Sequence, residues 1–84
     1  MQIFTVDHHT FSQVPTAGAA KAWVCAANGI WISERFNDRN RRWEYIASRH
    51  VEDSSGRQFL QRRQRMRYFG SPANAASAAL AEWR

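Results

Sequence analysis

The chain has 84 residues, 44% of them hydrophobic, with four tryptophans and a formal net charge of +5; this describes one domain, residues 1–84, at the small end of what buries a core unaided. So many large apolar groups exclude a wholly disordered chain. The single cysteine, Cys25, excludes an intramolecular disulfide framework and fits a reducing, cytoplasmic setting. No apolar run approaches the roughly 20 residues that span a bilayer, and the opening "MQIFTVDHH" lacks the basic and apolar regions of a secretory signal.

Taken in chain order, "QIFTV" alternates Ile3 and Thr5 against Phe4 and Val6 and predicts a first strand. "DHHTFSQVPTAG" is polar, holds Pro15 and Gly18, and is expected to be a connection. Two readings compete over the next segment, "AAKAWVCAANGIWISERF". Asn28-Gly29 between apolar runs signals a hairpin joining strands at 22–27 and 30–36. Alanines at 17, 19, 20, 22, 26 and 27 favour a short helix that starts at Thr16 and caps at Gly29, and they tip the expectation towards that second helix near 17–28. Residues 30–36 form a strand on either reading.

"NDRNRR" is a polar turn, and "RWEYIASRHV" alternates Trp43, Tyr45, Ala47 and Val51 against Glu44, Ile46, Ser48 and His50, as a strand does. After the turn residues "EDSSG" comes "QFLQRRQRMRYF", where a period of two sorts the apolar side chains better than a helical wheel. As a strand it carries Leu60, Arg62, Gln64, Met66 and Tyr68 on one side. Phe59, Gln61, Arg63, Arg65, Arg67 and Phe69 are on the other. "GSPANAASAALAEW" opens with Ser71 as N-cap and Pro72 in the first helical position, and places Ala73, Ala76, Leu80 and Trp83 on one stripe. The expected architecture is α+β: a small antiparallel sheet of three or more strands against a C-terminal helix.

Charge is unevenly spread. Residues 35–67 hold ten arginines against four carboxylates, whereas residues 1–34 and 68–84 are close to neutral. Arginine grips phosphate or carboxylate in two places at once, which lysine does not. If the helix covers one side of the sheet, the other side is expected to carry Arg63, Arg65 and Arg67 in a row. Arg49 is their neighbour on the parity of Trp43 and Tyr45, and Arg39, Arg41 and Arg42 stand at the rim. Such a strip tracks phosphates, and Trp43 and Tyr45 can stack on bases. About five phosphate contacts would give a logarithmic salt slope of roughly −4 to −5 on duplex DNA.

Other chemistries find little support. His8, His9, His50 and Cys25 lack the spacing of a zinc site, and nothing in the sequence brings Cys25 to His50 as a nucleophile pair. The carboxylates lie among arginines, where salt bridges are the ordinary role. The four glycines are isolated, so there is no phosphate loop. No catalysis, cofactor or metal is expected.

A three-stranded sheet followed by a helix beginning near "YFGSPANAA" resembles in outline the arm-binding domains of tyrosine recombinases, a likeness that implies an arginine-bearing sheet in the DNA major groove. The closing "GSPANAASAALAEW" is similar to the last helix of double-stranded-RNA-binding domains, but Pro72-Ala73-Asn74 stands where those carry a lysine pair facing phosphate. The expected function is therefore a nucleic-acid-binding module, DNA or RNA, using an arginine-rich sheet face. The alternative is a non-catalytic protein-interaction module for an acidic partner, such as an accessory subunit or a phage- or plasmid-type inhibitor. Self-pairing of an exposed sheet edge is a third possibility.

Overall fold

Tight turns set the order of the chain. The computed structural model describes residues 2–63 and 67–83. Strands β1 (Ile3–Val6), β2 (His9–Val14), β3 (Ala22–Cys25), β4 (Ile30–Asn37), β5 (Arg42–Glu52) and β6 (Gln58–Arg62) form one six-stranded sheet. Each pairs antiparallel with the next in sequence. Helix α1 (Pro72–Glu82) packs across one face, against β1, β4 and β5. This is the expected α+β arrangement, with a larger sheet.

Two expectations fail. The polar stretch after β1 is not a connection: Asp7 and His8 both take positive φ, 49° and 67°, and turn the chain directly into β2. That is the backbone of a two-residue hairpin whose twist suits the strands, built here without glycine. The second helix near 17–28 is absent. Ala22–Cys25 is a strand, and residues 26–29 are a four-residue turn in which Gly29, at φ 72°, donates its N–H to the Cys25 carbonyl at 2.9 Å. Trp23, Val24 and Cys25 gain more by lying between two strands than alanine propensity offers a short helix.

The register puts Phe4, Phe11, Trp23, Cys25, Ile30, Ile32 and Ala47 on one face. Ala75, Ala76, Ala79 and Leu80 close over them to form the core. Alanines let the helix lie close enough to the sheet for Phe11 and Trp23 to be enclosed. Ser71 caps the helix by accepting the Asn74 N–H at 3.1 Å, and Pro72 occupies the first turn. The opposite sheet face has no helix over it. It carries Val24, Trp31, Ser33, Arg35, Ile46, Ser48, His50, Leu60 and Arg62. There Trp31 Nε1 donates to His50 Nδ1 at 3.0 Å. Buried Cys25 and exposed His50 therefore stand on opposite faces. Among the described residues no helix is long and apolar enough to cross a membrane.

Candidate nucleic-acid interface

Of the expected row, Arg63 and Arg67 are among the described residues, and both lie beyond the end of β6. Ser48 faces Arg62, yet the next pairing on this side of β5 among the described residues is Tyr45 with Phe69. Three steps along β5 correspond to seven positions of sequence from Arg62 to Phe69, four more than a continuous ladder uses. Phe69 therefore does not follow Arg62 in the continuous β5–β6 register. Arg65 lies outside the described residues.

The parity of Arg49 with Trp43 and Tyr45 does hold, but that parity is the helix side of the sheet. Arg49 sits over the Trp83 ring, Cζ to centroid 5.0 Å, and its Nε donates to Gln61 Oε1 at 2.9 Å. Arg63 and Arg67 lie over the Phe69 ring at 5.4 and 5.3 Å. Arg63 Nε also lies 3.3 Å from Glu82 Oε1, without hydrogen-bond alignment, so that contact is a coulombic one. On the opposite face Arg35 covers the Tyr68 ring at 4.6 Å and donates to its hydroxyl at 2.9 Å. These guanidinium groups serve as planks against aromatic rings that tie the chain's end to the sheet. Tyr45 is half-buried, and its hydroxyl donates to Glu34 Oε2 at 2.8 Å. Burial first, and the Glu34 carboxylate second, push its pKa up to about 12.

The arginines of the β4–β5 turn differ. Residues 38–41 close a four-residue turn, with Arg41 at φ 55°. Asparagines hold its shape: Asn37 Oδ1 accepts the Arg39 N–H at 2.9 Å, and Asn40 Oδ1 accepts the Arg42 N–H at 3.2 Å. Asn37 Nδ2 also donates to Glu44 Oε1 at 2.7 Å, which draws that carboxylate to the amide. The guanidinium groups of Arg39, Arg41 and Arg42 are exposed, with no ion pair or ring contact among the described residues. One rung below, Phe36 faces Trp43 across the ribbon, ring centroids 5.3 Å apart at 70°. Both rings lie on the helix side of the sheet but stay 43% and 41% exposed.

The tip therefore joins a preorganised turn, three cations unpaired among the described residues and an exposed aromatic pair. A shallow depression of about 490 Å³ lined by residues 35–39 adjoins it. Arg39, Arg41, Arg42 and Trp43 are legible in the sequence, with the turn as a rim to the sheet, whereas Phe36 is not. Phe36 was legible only through the register that sets it opposite Trp43. Among the described residues no group of histidine, cysteine and carboxylate side chains is arranged to hold a metal ion. No family model, curated protein or solved structure matches this chain, and the six-stranded meander departs from the three-stranded outline of recombinase arm-binding domains.

Proposed function

We propose that the chain is a non-catalytic nucleic-acid-binding module whose contact surface is the tip of the β4–β5 hairpin. The observation that carries this reading is the juxtaposition of Arg39, Arg41 and Arg42, three cations without ion-pair or ring partners among the described residues, with the exposed Phe36–Trp43 pair. Guanidinium forks bind phosphate oxygens in pairs, while an aromatic ring offers a base a stacking surface. A ring face receives a base only when that base is unpaired, so single-stranded DNA or RNA is the preferred ligand. Three phosphate contacts on a single strand give a logarithmic salt slope of about −2.

The test is a titration followed by tryptophan fluorescence. Single-stranded oligonucleotide, duplex and heparin are compared at about 50 and 200 mM salt. The expected result is quenching by the single strand, tighter than by duplex or heparin and weakening with salt. Absence of binding to any nucleic acid at the lower salt sinks the reading. The alternative, docking on an acidic protein surface, uses the same side chains, since arginine and tryptophan also dominate protein hot spots. It gains ground if heparin and nucleic acid both fail while a protein partner is captured in a manner that depends on Trp43.

A further inference from the structure

Strand β6 is the outer strand of the sheet, and all five of its residues are exposed, Phe59 by 48% and Leu60 by 51%. Natural edges discourage pairing with lysine, proline or a bulge; residues 58–61, Gln-Phe-Leu-Gln, contain neither charge nor proline. The direction of its backbone groups follows from the ladder. Asp53 N–H donates to the Arg57 carbonyl, in the register where His50 faces Leu60, and His50 N–H is turned the other way, to the Gly29 carbonyl on the β4 side. The hydrogen-bonded pairs of β5 and β6 thus fall at the odd-numbered residues. The amide and carbonyl of Gln58 and Leu60 point away from β5, spaced as an incoming antiparallel strand requires.

We propose that β6 pairs antiparallel with β6 of a second copy of this chain, about a two-fold axis passing between the two Leu60 residues. In this register Leu60 lies opposite Leu60, Gln58 opposite Arg62 and Phe59 opposite Gln61, so the most exposed apolar side chains of the strand are covered. Charge favours the same direction. Glu52 stands beside Gln58 at one end of the β5–β6 ribbon and Arg62 stands at the other, all on one face. Antiparallel doubling brings each Arg62 within two strand spacings, about 10 Å between Cα atoms, of Glu52 in the second copy, a span that the two side chains cover. Parallel pairing would set like ends together. The contact is the same patch on both copies and closes as a dimer, not a fibre. An edge of five residues buries less than a standard interface, so the dimer is weak, with a dissociation constant of about 10–100 μM.

This pairing does not depend on the hairpin reading and is tested without nucleic acid, by sedimentation equilibrium of the full chain from about 5 to 500 μM. A reversible monomer–dimer equilibrium is expected. Leu60→Pro deletes an N–H that points out of the sheet, so the intrachain ladder keeps its bonds, and it should weaken dimerisation at least about tenfold. Glu52→Arg and Arg62→Glu should each weaken the dimer about threefold or more, and the double variant should restore it. A monomer throughout the range overturns the proposal. So does a dimer that Leu60→Pro leaves intact with circular dichroism unchanged, or one for which the charge swap gives no restoration.

Discussion

The tip of the β4–β5 hairpin and the region around α1 are built from the same residue types and put them to different uses. Under α1, arginines meet rings and carboxylates: Arg49 lies on Trp83, and Arg63 on Phe69 beside Glu82. At the tip, Arg39, Arg41 and Arg42 find no such partner among the described residues, while asparagines supply the hydrogen bonds that shape the turn. The aromatics divide in the same way. Trp23 is enclosed by the sheet and helix, whereas Trp43 keeps an exposed face one rung from the turn. Density of arginine in the sequence is thus a poor guide to which guanidinium groups stay exposed. The informative property is whether local structure has already satisfied the cation.

The covered end is the more sensitive to truncation. Phe11→Ala empties a fully buried site between β1, β3 and α1 and should cost roughly 3–5 kcal/mol, enough to unfold much of a small domain, as urea denaturation would read. At the tip the pattern reverses. Replacing Arg39, Arg41 and Arg42 together by alanine should lower affinity for single-stranded oligonucleotide about a hundredfold at low salt and flatten the salt slope, yet move stability by no more than about 0.5 kcal/mol. Trp43→Ala should cost about 1–3 kcal/mol of binding by removing the stacking surface. Equal losses of stability in the tip and core variants would erase the distinction between the two ends.

Smaller effects sharpen it. Ser71→Ala removes the cap of α1 and should cost about 1 kcal/mol of stability while leaving oligonucleotide affinity unchanged. Tyr45 stands between the two ends, and its pKa is raised from 10.0 to about 12. Because the folded value lies above the unfolded one, its contribution is whole below pH 10 and is lost as pH rises through about 12. Absorbance titration should show one tyrosine ionising late, and Tyr45→Phe should remove that step.

Much of this fold was legible in the sequence. The strands through residues 30–36 and 43–51 announced themselves by alternation, and Ser71-Pro72 marked the start of α1. Strand β2 was hidden because Phe11 is its one large inward apolar residue and its turn, Asp7-His8, lacks glycine. Strand β3 was obscured by alanines whose helical preference is weaker than the burial of Trp23 and Cys25. The site was harder. Parity grouped Arg49 with Trp43 and Tyr45 but could not say which face the helix takes. Nor could it register the four extra residues between Arg62 and Phe69. Arg39, Arg41 and Arg42 were visible as a basic turn; their lack of partners among the described residues becomes apparent only when the asparagine hydrogen bonds and the packing around the turn are known.

The most direct test of the hairpin interface is a nitrogen–proton correlation spectrum of the labelled chain, recorded as a single-stranded oligonucleotide is added at low salt. The largest shifts should fall on the amides of residues 36–43 and on the Trp43 indole, with Arg49, Arg63 and the Trp83 indole little changed. Shifts centred on Arg49, Arg63 and Arg67 would place binding on the arginines that here lie against aromatic rings, and would contradict the account.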